Sequence, residues 1–210
     1  MQRAIQQFEN NIDTVKQLST IYTTININLR IPLDLSDLLR SQLVHTVSAL
    51  DKLIHELVRI GMVQAFLDQR IKTKKFNNFS ISMETYKNIQ KLDNNRQGLL
   101  QLLMPVHFFE QEIVNKHKHL AFQDPDKIAD ALSLIWEEPC KWKKISLAFN
   151  KPEDFVRKQL KSIISRRNQI VHEADIYLQP NIRNNINEID VTEVIHFISK
   201  LGQQIFLLCR

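Results

Sequence analysis

The sequence is poor in the residues that interrupt helices, with 3 glycines and 6 prolines among 210 residues. Its 2 cysteines, Cys140 and Cys209, are too few for a disulfide framework and have no partners at metal-ligand spacing, so we expect a reducing, cytoplasmic environment. No stretch reaches the roughly 18 uncharged apolar residues typical of a membrane-spanning helix. The N-terminus carries Glu9 and Asp13 and lacks an apolar segment, which argues against a signal peptide.

Motifs of several enzyme classes are also absent from the sequence. It contains no glycine-rich phosphate loop, no nucleophile elbow and no zinc-binding cysteine pattern. What is present is an ordinary folded-chain composition, 43% hydrophobic, in which Leu, Ile, Gln, Lys and Asn dominate. Since no segment alternates with period 2, we predict an all-α helical bundle with long antiparallel helices.

The spacing of the apolar residues divides the chain into helices joined by short breaks. We predict helices at about 2–22, 36–67, 97–117, 124–136, 142–149, 152–172 and 190–208, with Pro105 as a candidate kink. Ser36 is the predicted N-cap of the second helix. A polar insertion at about 72–95 carries a short helix near 82–91, and residues 179–188 form a loop. We expect a single domain over residues 1–210, with an N-terminal helix and linker at 1–35 and a core at 36–210.

Positive charge is concentrated between Cys140 and His172. This stretch has nine lysines and arginines against two acids, Glu153 and Asp154, in a chain of formal net charge +5. Residues 173–210 contain five acidic and three basic side chains. A basic block of this kind favours a polyanionic partner, with RNA or DNA first, and a solvated lysine face is the alternative interpretation.

The helix predicted at 152–172 has an unusual charge on its apolar side. When this helix is projected at 100° per residue, most of its apolar residues fall on one arc, which is the predicted core-facing side. This arc holds Val156, Leu160, Ile163, Ile164, Ile170 and Val171. Arg167 falls in its middle, and a buried guanidinium needs a carboxylate or phosphate partner, unless the side chain reaches out to solvent. Asn168 and His172 lie together on the flank, with Lys161 and Ser165 beside them.

The helix predicted at 36–67 offers a partner for that arginine. Asp51 falls inside its apolar arc, so we predict that Asp51 and Arg167 face each other. His55 follows Asp51 by one turn and is expected to border the same cavity. His45 projects outward and is expected at the surface.

Two stretches resemble a known family. Residues 167–172 read RNQIVH, an Arg-Asn-x-x-x-His pattern that resembles the signature of HEPN domains. Residues 43–58, LVHTVSALDKLIHELV, resemble the second helix of the RiboL-PSP-HEPN branch. The likeness covers about Ser36 to the C-terminus and is weaker in the middle. Its specificity comes from the asparagine after the arginine and from the position of the motif at the end of the penultimate helix.

The resemblance implies an all-α HEPN-like bundle with extra helices and an endoribonuclease that uses no metal and no cofactor. His172 is the expected acid/base group, Arg167 the expected phosphate-binding cation, and Asn168 the residue that orients the histidine or the phosphate. Asp51 and His55 are the expected supporting residues. The expected products carry 2′,3′-cyclic phosphate and 5′-hydroxyl ends, and such ribonucleases commonly act in phage defence or as toxins, with an antitoxin or regulatory partner.

The surroundings of the motif suggest how RNA is held. The residues expected to contact RNA are Lys158, Lys161, Ser165 and Arg166. Positions five apart on a helix point about 140° apart, so one copy of the motif converges poorly on a phosphate. We therefore expect a homodimer whose two copies share one cleft.

The sequence departs from part of the family and leaves two alternatives open. Related toxins controlled by tyrosine AMPylation have a His-x-Tyr continuation, whereas here that position is Ala174 and the nearest tyrosine is Tyr177, so this control is not expected. One alternative is a non-catalytic helical module that binds nucleic acid or protein through the same basic block. The other is a metal-dependent hydrolase using His117 and His119, whose two-residue spacing on a helix is unfavourable for shared coordination.

Overall fold

The computed structural model describes residues 1–30, 32–93, 99–176 and 182–210. Within these ranges the regular structure is helical and contains no β-strand. Ile176 and Arg183 form an isolated antiparallel β-bridge. The helices are α1 (Gln2–Thr23), α2 (Ser36–Phe66), α3 (Lys74–Asn77), α4 (Met83–Asp93), α5 (Leu99–His117), α6 (Pro125–Leu132), α7 (Lys141–Leu147), α8 (Glu153–His172) and α9 (Glu188–Cys209). The predicted all-α bundle is confirmed. Among the helices described, none combines the length and apolarity needed to cross a membrane.

The longest helix, α2, lies at the centre of the bundle. It contacts α1, α5, α6, α8 and α9, and its apolar residues are buried along its whole length. Ser36 is the first helical residue and not the predicted N-cap. The preceding turn is held by Asp34, whose Oδ1 accepts a hydrogen bond of 2.9 Å from the Ser36 backbone N–H. Because five helices surround α2, the angular position of a residue on α2 does not by itself identify which helix that residue contacts.

The helices α1 and α9 close one side of the bundle. Phe8 of α1 is fully buried against α9, where Gly202 provides the space for its ring. A Cβ atom at position 202 would lie 2.5 Å from Cζ of Phe8, so a side chain there would force the Phe8 ring to move. The start of α9 is capped by Asn187, whose Oδ1 accepts a hydrogen bond from the Asp190 N–H. Thus α1 contributes to the same continuous core as the helices after residue 36.

The predicted polar insertion is more ordered than the sequence indicates. It holds α3 and α4, and α4 packs on α5. The Phe79 ring contacts Phe109 of α5 edge to face. The buried carboxylate of Glu112 accepts hydrogen bonds from Ser82 and Thr85, which fixes the start of α4. Residues 94 and 95 of the insertion lie outside the described residues, and α5 is helical through Pro105.

The helices α6 and α7 connect this part of the chain to α8. Asp124 caps α6, and the indole N–H of Trp142 in α7 donates to the Pro125 carbonyl at 2.9 Å. α8 begins where Pro152 and the acids after it predict, and it packs on α2, α6 and α7. Its buried contacts come from Val156, Leu160, Ile163 and Ile164. The bundle therefore leaves the second half of α8 with one side on the core and one side in solvent.

Candidate functional site

One side of α8 presents four of the predicted residues to solvent. Lys161, Ser165, Asn168 and His172 are all exposed. They follow one another at spacings of four, three and four residues, so they form a single stripe on the helix surface. The stripe ends at His172, the last residue of α8. The sequence places these residues together, and the structure brings them to one accessible surface.

Arg167 lies at the edge between this stripe and the core. The residue is half-buried, and its Nε is enclosed without a hydrogen-bond partner among the described residues. Its Nη1 donates to Oδ1 of Asn168 at 3.0 Å. The prediction that Ile170 and Val171 face the core is wrong, since Val171 is 44% exposed and Ile170 is only half-buried. The motif therefore sits where the helix leaves the core.

The predicted pair between Asp51 and Arg167 is wrong. Within the described residues the two side chains form no ion pair, and Oδ1 of Asp51 instead accepts a hydrogen bond of 2.6 Å from the Phe122 N–H. His55 lies on the same side of α2, where Nε2 is 3.1 Å from the Leu120 carbonyl oxygen. Its ring centroid is 4.4 Å from that of Phe122. Asp51 and His55 thus contact the connection between α5 and α6, and among the described residues neither forms a hydrogen bond with Arg167, Asn168 or His172.

Arg166, predicted to contact RNA, is also engaged inside the protein. Both Nη atoms of Arg166 bind the carboxylate of Asp175, with Nη2 at 2.9 Å from Oδ2. Nε of Arg40 in α2 binds the same Oδ2 at 2.7 Å. Asp175 is fully buried and Arg40 is 6% exposed. We refer to these three residues as the Arg40–Asp175–Arg166 cluster.

Sequence reasoning missed two members of this cluster. Arg40 falls about 20° nearer to the centre of the apolar arc of α2 than Asp51 does, at 100° per residue. The signal that singled out Asp51 therefore applied at least as well to Arg40. Asp175 offered no such signal, because it follows α8 in a segment without periodicity.

The chain after His172 turns sharply and is fixed by hydrogen bonds. The N–H groups of Glu173 and Asp175 both donate to the Gln169 carbonyl at 3.0 Å. Ala174 and Asp175 have φ values of 50° and 59°, in the left-handed region. For alanine this conformation costs roughly 1 kcal/mol, so surrounding contacts must maintain it. Ala174 is exposed, and Tyr177 lies outside the described residues.

A groove of about 280 Å³ lies beside this turn, between α2 and the end of α8. Its lining includes Arg40, His45, Ile170, Ala174 and Arg183. His45 is exposed, as its outward projection predicts. The groove borders the motif on the side opposite to the exposed stripe, since Ile170 and His172 point about 160° apart.

Charges on the rest of α8 are largely compensated. Arg157 pairs with Asp126 and Glu153, and Nζ of Lys161 is 3.3 Å from Oδ2 of Asp126. Lys158 is exposed and forms no ion pair with the described residues. Within α8, Arg157 and Lys161 are therefore paired with carboxylates, whereas Lys158 and Arg167 form no ion pair with the described residues.

No group of three or more His, Cys, Asp and Glu side chains in the described residues is arranged to hold a metal ion. His117 is buried, and its ring contacts Phe79 and Phe122, whereas His119 is exposed. Burial, followed by the positive charges of His55, Lys75 and Lys116, lowers the pKa of His117. Cys140 is exposed and Cys209 is buried, and burial raises the pKa of the Cys209 thiol to about 12.

The chain is similar to a known protein family over nearly its whole length. The model of the RiboL-PSP-HEPN family matches residues 9–209, from α1 to the end of α9. No curated protein and no solved structure matches the chain. The HEPN families suggest a ribonuclease-type function and interaction with RNA. The family match, which spans the helical bundle and the RNQIVH motif, shows that this chain belongs to the RiboL-PSP-HEPN family.

Proposed function

We propose that the protein is a metal-independent endoribonuclease whose site is formed by Arg167, Asn168 and His172. The observation that carries the proposal is the unpaired state of Arg167. Of the three arginines of α8, Arg157 and Arg166 bind carboxylates, whereas Arg167 forms no ion pair with the described residues although it is half-buried. A guanidinium stays charged at every working pH and loses solvation when it is partly buried. A phosphate group of RNA supplies the missing anion, with a geometry that suits the planar fork.

The chemistry follows from the residue types at the end of α8. A base removes the proton of a ribose 2′-hydroxyl, the 2′-oxygen attacks the adjacent phosphorus, and the bond from phosphorus to the 5′-oxygen breaks. An acid returns a proton to that 5′-oxygen, which leaves a 2′,3′-cyclic phosphate and a 5′-hydroxyl. His172 suits both proton transfers because imidazole titrates near neutral pH. Arg167 stabilises the charge on the phosphate oxygens, and Asn168 holds Arg167 through its Oδ1.

The proposed enzyme is a homodimer. Arg167 and His172 are separated by five positions, which is about 7.5 Å along α8 and 140° around it. A second copy related by a two-fold axis provides a histidine opposite the arginine of the first. The exposed Val171, between the two residues, is available for burial in such an interface. Lys158, Lys161 and Ser165 extend the proposed RNA-contacting surface.

The biological role we propose is that of a toxin or phage-defence effector in the cytoplasm. It rests on the family and on a motif whose Arg, Asn and His are all present. An antitoxin or regulatory protein is the expected partner. Control by AMPylation of a tyrosine two positions after the motif is not part of the proposal, because Ala174 occupies that position.

Cleavage of total cellular RNA in the presence of EDTA tests the activity. We expect fragments with cyclic phosphate ends from the wild-type protein and none from His172→Ala. His119→Ala is the matched control, since His119 is an exposed histidine remote from the motif in sequence. Cleavage that survives His172→Ala, or that stops on removal of divalent metal, contradicts the proposal. RNA binding without cleavage by the wild type supports the non-catalytic module.

Subunit mixing tests the shared cleft. Arg167→Ala and His172→Ala are each expected to be inactive alone. After exchange of subunits, a mixed dimer contains one intact Arg167 and one intact His172 on different chains. Recovery of cleavage is expected if each phosphate is bound across the interface. No recovery, although sedimentation shows mixed dimers, contradicts the shared cleft.

A further inference from the structure

We propose that Asp175 is a positioning residue for the RNQIVH motif, acting through the Arg40–Asp175–Arg166 cluster. This inference rests on the proposed function, because it assigns to Asp175 the orientation of Arg167 and His172. Asp175 itself is fully buried and does not touch RNA in this account. Its role is to fix the backbone that carries the two reactive side chains.

The contacts of Asp175 saturate its carboxylate and its backbone. Oδ2 accepts from Nε of Arg40 at 2.7 Å and from Nη2 of Arg166 at 2.9 Å. Oδ1 accepts from Nη1 of Arg166 and from Nδ2 of Asn184, the latter at 3.0 Å. The Asp175 N–H donates to Gln169, and its carbonyl accepts from the Asn184 N–H at 2.8 Å. One residue therefore joins α2, α8 and the segment that leads into α9.

The cluster encloses the motif in the sequence. Arg166 directly precedes Arg167, and Asp175 follows His172 by three residues. Both ends of the six-residue motif are thus held to the same buried carboxylate and, through Arg40, to the central helix α2. Since helix ends fray when their last turns lack partners, this anchoring bears directly on the final turn of α8.

The positions of the reactive side chains depend on that last turn. His172 is exposed and forms no side-chain hydrogen bond with the described residues, so its location is set by the backbone. The backbone is closed by the Glu173 and Asp175 N–H groups on Gln169. The left-handed Ala174 lies between them and requires external contacts to persist. Removing the charge of Asp175 loosens these contacts together, which misplaces His172 relative to Arg167.

Asp175→Asn keeps the shape of the side chain and removes its charge. We expect kcat for RNA cleavage to fall about 100-fold, as for a displacement of about 1 Å in a catalytic group, while KM changes less than about threefold. Amide hydrogen exchange at Glu173 and Asp175 is expected to accelerate more than tenfold under conditions where the variant remains folded. The exchange measurement reports on the anchoring whether or not the protein cleaves RNA.

Asp126→Asn is the matched control. Asp126 also pairs with two cations of α8, Arg157 and Lys161, but it is exposed and lies near the opposite end of the helix. It is expected to leave both kcat and the exchange at Glu173 unchanged. If Asp175→Asn does not fold, Asn184→Ala, which removes one donor to the carboxylate, provides the weaker version of the same test. Its expected effects have the same direction.

The outcomes distinguish this inference from the proposed function. Unchanged exchange at Glu173 and Asp175 in a folded Asp175→Asn overturns the positioning role, whatever happens to kcat. Faster exchange with wild-type kcat overturns it as well. Faster exchange in a protein whose wild type cleaves no RNA supports the anchoring and contradicts the ribonuclease proposal alone. A fall in kcat together with faster exchange supports both.

Discussion

Arg166 and Arg167 are neighbours on α8 with the same side chain and opposite surroundings. Arg166 binds a fully buried carboxylate through two Nη atoms, and a second arginine binds the same group. Among the described residues, half-buried Arg167 contacts only the neutral Oδ1 of Asn168, and its enclosed Nε has no hydrogen-bond partner. The first arrangement is complete in the isolated chain. Under the proposed function, a phosphate of RNA completes the second, so the two arginines are expected to differ as a structural and a binding residue.

The greatest loss of activity is expected for substitution of Arg167, and not of the paired arginine Arg157 on α8. Arg167→Ala should lower kcat/KM for RNA cleavage by about 100- to 1,000-fold, the loss typical when a charge-stabilising donor is removed. Its thermal unfolding midpoint should stay within a few degrees of wild type, because Arg167 forms no ion pair with the described residues. Arg157→Ala, which removes an arginine paired with exposed carboxylates, is the control and should retain most activity.

The reverse pattern is expected for stability. Arg166→Ala leaves Arg40 as the one cation that binds the buried Asp175 among the described residues, and should cost about 2–3 kcal/mol of unfolding free energy. Denaturant unfolding compared with Arg167→Ala measures the difference directly. Equal unfolding free energies of Arg166→Ala and Arg167→Ala would show that the contacts of Arg166 in the cluster do not stabilise the fold.

A destabilised variant outside the motif separates a loss of stability from a loss of activity at the proposed site. Gly202→Ala places a Cβ 2.5 Å from the Phe8 ring and should cost about 1–3 kcal/mol. Cleavage per folded molecule should nevertheless equal that of the wild type at a temperature well below unfolding. A large loss of activity in this variant would mean that lower stability alone impairs the site.

The weakest effect is expected at His117, which is buried beside Phe79 and Phe122. Burial lowers the pKa of the His117 imidazole from its ordinary value of 6.5. As pH falls below 6.5 the unfolded chain therefore binds more protons than the folded chain, so the stability gained by burying the uncharged imidazole is fully present above pH 6.5 and decreases as pH falls. Urea unfolding at pH 7.5 and 5.5 should show a smaller decrease for His117→Leu than for wild type. An identical decrease would contradict the assignment.

The helices could be predicted from the sequence because their signals are local. The start of α8 follows from Pro152 and two acids, and the end of α2 from the limit of its apolar stripe. The exposed stripe that ends at His172 follows from the same periodicity. Local spacing fixes which side of a helix a residue occupies, and that is all these features require.

The pairing of charges could not be predicted in the same way. Asp51 lies on the predicted core-facing side of α2, but α2 has neighbours on several sides. Asp51 faces the connection after α5 rather than α8. The partner of Arg166 comes from a turn with two left-handed residues, neither of them glycine. No periodic pattern marks such a turn. The proposed site residues on α8 can therefore be identified from the sequence, whereas the buried charge pairs next to them cannot.

The most direct test of the unpaired arginine is the salt dependence of RNA binding. RNA with 2′-O-methyl groups lacks the nucleophile and binds without being cleaved, so affinity is measured apart from chemistry. If Arg167 contacts a phosphate, Arg167→Ala should weaken binding and reduce the slope of log K against log salt by about one per protomer, because one fewer phosphate charge is neutralised. Binding with the wild-type affinity and slope would contradict the account.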